Sequence, residues 1–209
     1  MYSAGILRQE LLRLPDSAGL CLDVGCGPGD HLSAFVGQRE YEGIGLDPLK
    51  ESSLRVFKDR IKGSKISEKI ELVKGVSEYL PINKDCIQLC FMIATLDHVY
   101  NPQQTLKEIY RVLVHNGYFL LLQSVVRRKK WDYNDEMHLH EFRIAELKKL
   151  LNQFTIEKIR RWVSIPSQIP IPEKLLNSPK IYKILSTIHN VIARHFKNYS
   201  VVIIKSRKN

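Results

Sequence analysis

Three glycines at alternate positions form the part of this sequence whose chemistry is easiest to interpret: Gly25, Gly27 and Gly29. They follow an apolar run and precede a helical pattern, and α/β sheets bind nucleotide-like ligands at such turns, beyond the carboxyl ends of their strands. Glycine lets the backbone turn sharply and lets a ligand lie against bare main chain. The spacing therefore predicts a loop, with Cys26 between its first two glycines, that holds a nucleotide-like ligand.

The acidic residues on either side of this loop favour a positively charged ligand over a dinucleotide. A dinucleotide-binding loop has the spacing G-x-G-x-x-G, but Asp30 stands where its third glycine would be needed. A carboxylate there would also repel a pyrophosphate at the N-terminus of the following helix. Asp23, which precedes the glycines, would face the same ligand. We therefore expect a cationic or zwitterionic cofactor without phosphate, a description that S-adenosyl-L-methionine fits.

A further carboxylate, Asp47, ends the next apolar run. Its distance from Asp23 along the chain is close to the roughly 20 residues that separate the two positions in a strand-helix-strand unit. An acidic side chain at that position can accept hydrogen bonds from both ribose hydroxyls of a bound nucleoside. The alternative is a turn aspartate before Pro48, and for an isolated aspartate that would be the better interpretation. Because Asp47 follows this glycine loop at this distance, we expect the ribose contact.

Apolar runs and helical patterns alternate along the chain, and these elements must position the loop and the acidic residues. Their periods predict strands at residues 19–24, 41–46, 70–74, 87–92, 118–124, 155–162 and 200–205. They predict helices at residues 30–36, 49–61, 103–112, 144–151 and 181–196. Asn101 and Pro102 supply an N-cap and a first-turn proline for the third helix. Strands that are apolar on both faces and separated by helices require a parallel sheet covered on both sides.

The motif D-V-G-C-G-P-G at residues 23–29 resembles the type 11 family of class I S-adenosylmethionine-dependent methyltransferases. The resemblance runs from about Leu20 to Ser124 and includes the segments Gly75–Pro81, Thr95–Val99 and Leu106–Gly117. It implies a three-layer, Rossmann-like, doubly wound α/β sheet of seven strands, mostly parallel with the last strand antiparallel. We expect one domain over residues 1–209, with a basic helical insertion at about 163–198 between the last two strands.

The resemblance also implies which residues contact the cofactor. We assign this role to Asp23, Gly25, Cys26, Gly27, Gly29, Asp47, Pro48, Val76, Ser77, Glu78, Met92 and Ile93. The family usually has an aspartate, which binds the adenine amino group, where this chain has Val76. That contact is expected to pass to Ser77, Glu78 or the backbone.

Three histidines are the candidates for a general base, which an alcohol or amine acceptor requires and a carbon or thiolate acceptor does not. His98 follows the fourth strand, and His138 and His140 follow the fifth strand on either side of Leu139. Two residues apart in an extended segment, His138 and His140 would share a face. The competing interpretations are that Asp97 or His98 caps the next helix and that the later histidines bind the backbone.

A metal ion is the remaining interpretation of the histidines. His138 and His140, together with Glu136 or Glu141, have ligand types that suit several divalent ions. No spacing between these residues forces metal binding, however, so we predict no metal site. The four cysteines form no C-x-x-C pair and are expected to be reduced and buried: Cys21, Cys26, Cys86 and Cys90.

The net charge of +10 favours anionic partners. The basic cluster Arg127–Lys130 can meet a phosphate, a lipid headgroup or an RNA backbone. The basic amphipathic helix predicted at 181–196 can lie on an anionic membrane surface, although packing of its apolar stripe on the domain is the favoured interpretation. The sequence has no recognisable RNA-binding module, which makes nucleic acid the less favoured partner.

The leading functional hypothesis is methyl transfer from S-adenosyl-L-methionine to a small-molecule acceptor, such as a lipid, a quinone, a saccharide or another metabolite, with an anionic acceptor as one option. The alternatives are an RNA methyltransferase and a non-catalytic binding protein on the same fold. No apolar run approaches the roughly 20 residues that span a bilayer, and the N-terminus lacks a signal-like apolar core. We therefore expect a cytoplasmic protein, with peripheral membrane contact as the alternative, and make no prediction of its oligomeric state.

Overall fold

One mixed sheet organises the computed structural model, which describes residues 18–37, 39–48, 55–56, 59, 62, 65–126, 138–162 and 199–209. Within these residues the strands are β1 (Gly19–Val24), β2 (Tyr41–Asp47), β3 (Ile70–Lys74), β4 (Ile87–Ile93), β5 (Leu113–Val126), β6 (Phe154–Trp162) and β7 (Tyr199–Lys208). The described helices are α1 (Asp30–Val36), α2 (Pro102–Val112) and α3 (Ile144–Leu150).

The order of the strands creates a switch point beside β1. The sheet runs β3-β2-β1-β4-β5-β7-β6. The first five strands in this order pair in parallel, and β7 is antiparallel to both β5 and β6. Because the chain winds outward from β1 in both directions, the loops after β1 and β4 diverge and leave a crevice at the carboxyl ends of these strands. The predicted fold class is confirmed.

The apolar residues of the sheet are divided between its two faces. In β4, Leu89 and Phe91 belong to one hydrophobic cluster, whereas Cys90 and Met92 belong to the other. Neighbouring residues of a strand point to opposite faces, so β4 is buried on both sides. Helices α2 and α3 pack in the cluster of Cys90, and α1 packs in that of Phe91. The described elements therefore form three layers.

The predicted start of the fifth strand is wrong. We expected a helix, a stop at Asn116-Gly117 and a strand from Tyr118, but β5 begins directly after α2. β4 pairs with β5 first at Leu113 and then, after an irregularity, at Tyr118. Asn116 adopts a left-handed conformation with φ of 62°. The turn residues therefore bend the strand internally, and the extended backbone of Leu113 ends the helix.

Several predicted features lie outside the described residues. These are the basic cluster Arg127–Lys130, Glu136, the insertion at 163–198 with its helix at 181–196, and most of the helix at 49–61, of which Arg55, Val56 and Asp59 are helical. The domain boundaries stay a prediction. All four cysteines are free, and three of them are buried. Among the described residues, no helix is both long enough and apolar enough to cross a membrane.

Candidate cofactor and acceptor site

The glycine loop turns through three left-handed residues between β1 and α1. Gly25, Gly27 and Gly29 have φ of 73°, 51° and 72°, a region that residues with a Cβ adopt only at a cost. The amides of Gly25 and Cys26 both donate to the carbonyl of Leu46, at 2.7 and 3.2 Å. The loop is therefore held against the end of β2, and its shape requires the glycines that the sequence supplies.

Asp47 fixes this loop from the end of β2. Its Oδ2 accepts a hydrogen bond of 2.9 Å from the amide of Gly27, and the side chain is largely buried at the wall of a cleft. A carboxylate has acceptor capacity for further hydrogen bonds after one is made. Asp47 is thus positioned for a ribose contact and also performs a second task, binding the loop, which the sequence did not predict.

Asp23 is a buried carboxylate with an unsatisfied oxygen. The residue is 1% exposed, and its Oδ2 has no hydrogen-bond donor among the described residues. Burial, and secondarily the charge of Asp47, raises the pKa of Asp23 well above its ordinary value. An unpaired buried charge is costly, so a cationic group nearby would stabilise the ionised form. The acid that precedes the glycines therefore fits a positively charged ligand.

A cleft of about 470 Å³ opens at the carboxyl ends of β1 to β4. It is lined by Val24, Gly25, Leu46, Asp47, Pro48, Val76, Ser77, Glu78, Thr95, His98, Val99, Tyr100 and Leu139. Six of the predicted cofactor residues are among these. Met92 instead lies fully buried in the core, and Cys26 is buried against Gly45, whose added Cβ would come within 2.9 Å of its Sγ. The cleft wall also lacks Ile93, Asp23, Gly27 and Gly29.

Two of these cofactor candidates, Ser77 and Glu78, also tie the loop after β3 to the beginning of α2. The hydroxyl of Ser77 is 2.8 Å from that of Thr105, and Oε1 of Glu78 accepts a 3.0 Å bond from the amide of Asn101. Both side chains are buried and engaged within the protein. Val76, the residue in place of the family's usual aspartate, is 43% exposed at the cleft. Val76 thus offers a ligand an exposed apolar side chain, next to Ser77 and Glu78 in the cleft wall.

The predicted histidines cluster beside a buried aspartate. The Nε2 of His98 is 3.8 Å from Oδ1 of Asp97, and the Nε2 of His138 is 4.0 Å from Oδ2 of the same carboxylate. The two imidazole rings are 4.4 Å apart between centroids. Sequence reasoning placed Asp97 next to His98 and considered it as a helix cap, but it missed the proximity of Asp97 to His138.

His140 occupies a different environment from the other two histidines. Its Nε2 is 2.9 Å from the carbonyl of Val99, and its ring stacks on Phe142 at 5.8 Å. This contact matches the alternative in which a histidine binds the backbone. The capping alternative for Asp97 and His98 is wrong, because Asn101 caps α2 by accepting a 3.0 Å bond from the amide of Gln104.

Thr95 is a cleft residue that sequence reasoning did not assign. Its Oγ1 donates to the carbonyl of Ile93 at 2.9 Å, and its side chain occupies the space that a Cβ at Gly25 would need. The signal available in the sequence was its place directly after the fourth strand, where parallel sheets present ligand contacts.

Comparison with known families agrees with this geometry. The sequence pattern of one family, described as a methyltransferase domain, matches residues 22–121. This chain carries a methyltransferase domain. The predicted family is confirmed over these residues, and with it S-adenosyl-L-methionine as the cofactor of the domain. Two residues fit this cationic cofactor: Asp23, whose Oδ2 has no hydrogen-bond donor among the described residues, and Asp47, which lines the cleft.

Individual relatives of the methyltransferase domain differ in what their names say they act on. A demethylmenaquinone methyltransferase of Lactobacillus johnsonii is 32% identical over 105 residues, which are 49% of this chain and 43% of that protein. A tRNA U34 carboxymethyltransferase of Marinobacter nauticus is 32% identical over 115 residues, 54% of this chain and 34% of that protein. The chain thus spans less than half the length of these relatives.

A solved geranyl diphosphate methyltransferase, in complex with SAM, shares the fold. Its TM-score is 0.75 at 14% identity, with 99% of this chain and 85% of that chain covered. The fold of this chain therefore occurs in a solved methyltransferase structure.

Proposed function

We propose that this protein transfers the methyl group of S-adenosyl-L-methionine to a small-molecule acceptor. The single observation that carries the proposal is the acid-walled cleft at the switch point, with the unpaired Asp23 carboxylate beside its glycine loop. When bound, the cofactor supplies a methyl group already activated on a positively charged sulfur. The protein must then hold the acceptor in line with that methyl and exclude water.

In this proposal the cofactor is held by the segments that follow β1, β2 and β3. Asp47 accepts hydrogen bonds from the ribose, the backbone at Gly25 and Gly27 lies along the cofactor, and Asp23 compensates its positive charge. Val76 packs against the adenine in place of the family's usual aspartate. The loop bond from Gly27 to Asp47 and the exposure of Val76 at the cleft support these assignments.

The acceptor lies in this proposal on the β4 side of the cleft. β4 is on the opposite side of β1 from β2 and β3. In this proposal the segment after β4 faces the end of the cofactor that carries the methyl. Val99, Tyr100 and Leu139 line this part of the cleft and are apolar or aromatic. They favour an acceptor with a sizeable apolar portion, and the demethylmenaquinone methyltransferase among the relatives supports the quinone class.

His98 and His138 are proposed to act on the acceptor. Their Nε2 atoms lie 3.8 and 4.0 Å from the carboxylate oxygens of Asp97, and His98 lines the cleft. His140 keeps its predicted place near the acceptor but is proposed to position the segment, because one of its ring nitrogens is bound to the Val99 carbonyl. The cytoplasmic location and the membrane contact stay predictions.

An RNA acceptor is the second candidate. The tRNA U34 carboxymethyltransferase among the relatives and the net charge of +10 favour it. Against it, none of the described residues that line the cleft is Lys or Arg, and phosphate backbones are bound chiefly by these side chains. We therefore rank the small molecule first.

Titration calorimetry with S-adenosyl-L-methionine tests the cofactor step. We expect saturable binding that is lost in Asp47→Ala. The control is Asp85→Asn, a change at an exposed carboxylate before β4, at the end of the sheet away from the cleft, which should leave binding unchanged. Absence of binding to the wild-type protein at millimolar cofactor would refute the proposal.

A radiolabelled methyl-transfer assay tests the acceptor. Quinone precursors, a lipid extract, a metabolite pool and total tRNA are compared under the same conditions. Labelling of a small-molecule pool is the expected result, and labelling of tRNA alone would show that the ranking of acceptors is wrong.

A further inference from the structure

A cluster of three side chains stands at the β4 side of the cleft: Asp97, His98 and His138. We propose that this cluster binds one divalent transition-metal ion. Binding of the ion does not depend on the proposed methyl transfer, and only the role given to the ion rests on that function. The proposal reverses our prediction from the sequence, which considered His138 with His140 and two glutamates and did not combine residues from both segments.

The distances suit a metal better than hydrogen bonds. The Nε2 atoms of His98 and His138 are 3.8 and 4.0 Å from the oxygens of Asp97, beyond the roughly 3.2 Å limit of an N–H···O bond. One candidate ligand atom from each residue lies within 4.8 Å of the other two. Around an ion with bonds of about 2.1 Å, tetrahedral ligand atoms are ~3.4 Å apart. Side-chain rotations that close gaps of up to about 1.4 Å would complete the site.

The buried carboxylate of Asp97 would be stabilised by a nearby cation. The residue is 7% exposed, and its Oδ1 has no hydrogen-bond donor among the described residues. A buried carboxylate oxygen without a partner is destabilising. Within the part of the chain that the structure describes, the basic side chains recorded within 4.0 Å of its oxygens are His98 and His138. An ion shared by all three would satisfy the carboxylate.

The backbone already holds the ligands together. The carbonyl of Asp97 accepts bonds of 2.7 and 3.1 Å from the amides of Leu139 and His140, and the amide of His98 donates to Thr95 at 2.9 Å. The segment after β4 is therefore pinned to the segment that carries His138. A preorganised set of ligands loses little conformational freedom when it binds an ion.

The ligand types define the class of ion and of acceptor. Two imidazoles and one carboxylate suit Zn²⁺, Fe²⁺, Co²⁺ or Mn²⁺, and three protein ligands leave open positions for a further ligand. His98 and Leu139 belong to the cleft wall, so an open position can face the cleft. The acceptor that this site would recognise is one that presents a hydroxyl or anionic oxygen to the ion.

Calorimetry on this 209-residue chain, after treatment with a chelator, tests the site with CoCl₂ and ZnCl₂ as probes. We expect one ion per chain and, for Co²⁺, a visible absorption spectrum that reports nitrogen and oxygen ligands. His138→Ala and Asp97→Asn should each weaken binding at least about tenfold. His138 is 40% exposed, so its truncation should leave the fold intact. His115→Ala is the matched control, because His115 lies within the irregularity of β5 between Leu113 and Tyr118, at the end of the sheet away from the cleft.

Cofactor binding is measured in the same samples with the chelator present, so that failure of the metal site and failure of the methyltransferase proposal are distinguishable. Unchanged cofactor binding in His138→Ala, combined with weakened Co²⁺ binding, supports the site. No stoichiometric binding to the wild-type protein, or equal binding to wild type and His138→Ala, would overturn it. A loss in His115→Ala equal to that in His138→Ala would overturn it as well.

Discussion

Two carboxylates beside the glycine loop differ in their hydrogen bonding. Asp47 accepts a hydrogen bond from the Gly27 amide, whereas Oδ2 of Asp23 has no donor among the described residues. The first therefore shapes the loop before any ligand arrives. Burial of the ionised Asp23 side chain is energetically unfavourable, and a cationic ligand would offset that cost. The site therefore favours a cationic ligand.

Substitutions at Asp47 should separate its two tasks. Asp47→Asn keeps an oxygen that can accept from Gly27 but removes the charge, and Asp47→Ala removes the loop bond as well. A hydrogen bond that involves a charged group contributes about 1.5–3 kcal/mol. We expect Asp47→Ala to weaken cofactor affinity about 10- to 100-fold and Asp47→Asn to weaken it less. Calorimetry of both variants is the measurement, and equal losses would mean that the loop bond contributes nothing.

At the scale of elements, the glycine loop and the loop after β3 position the cleft. Gly25 and Gly27 are both left-handed, but their surroundings differ. A Cβ on Gly25 would overlap the side chain of Thr95, whereas a Cβ on Gly27 would meet nothing within 4 Å. Packing against Thr95 therefore requires a glycine at position 25. At Gly27, by contrast, there is open space beside the loop.

This difference predicts distinct effects for Gly25→Ala and Gly27→Ala. Both should lose about 1–2 kcal/mol of unfolding free energy through the positive φ. Gly25→Ala should lose a further ~1–3 kcal/mol through overlap with Thr95. Gly27→Ala should instead show its larger effect on cofactor affinity, because the new methyl fills space beside the loop. Urea unfolding and calorimetry of the two variants measure this, and a Gly25→Ala protein as stable as Gly27→Ala would contradict it.

The contact between Ser77 and Thr105 predicts a coupled loss of stability. Thr105 is fully buried, and Thr105→Val leaves the Ser77 hydroxyl without this partner. We expect unfolding free energy to fall by about 1 kcal/mol. The double variant with Ser77→Ala should lose less than the sum of the two single variants, since they remove the same bond. Strict additivity in urea unfolding would show that the two hydroxyls do not stabilise each other.

At the scale of the whole molecule, Asp23 links folding to pH. Its folded pKa is raised by burial above the unfolded value of about 4. The folded state therefore binds a proton that the unfolded state has released, so stability falls as pH rises from about 4 through the raised pKa. A bound cation reverses this preference, because it favours the ionised carboxylate.

We expect Asp23→Asn to be more stable than wild type near pH 7 in the absence of cofactor and to bind the cofactor more weakly. Asp85→Asn is the control of opposite sign. The Lys208 hydrogen bond lowers the pKa of Asp85, whose contribution to stability is present above its unfolded pKa and is lost as pH falls. Urea unfolding between pH 4 and 8 measures both. If the free energy of unfolding of the wild type rose with pH relative to that of Asp23→Asn, the predicted direction of the pH dependence would be wrong.

Much of the sheet was predictable because its signals are local. The predicted boundaries of β1, β3 and α1 match the structure, since each combines a clear apolar pattern with adjacent glycine or polar residues. The start of β5 was not predictable, because Asn116-Gly117 is a turn sequence that can end a helix or bend a strand, and here Asn116 takes the left-handed conformation within the strand. Pairing with β4, a long-range interaction, decided between the two.

The sequence by itself determined the strand-loop-helix around Asp23 to Gly29 and the cofactor it binds. Those residues are contiguous, and the spacing of the glycines and acidic residues sets which ligand the loop can bind. Only the tertiary structure decided which polar groups have partners. Asp97 and His138 are 41 residues apart in the chain and meet because parallel strands bring their following loops to one edge of the sheet. Burial and unpaired oxygens exist only once distant segments have displaced water, so no local pattern encodes them.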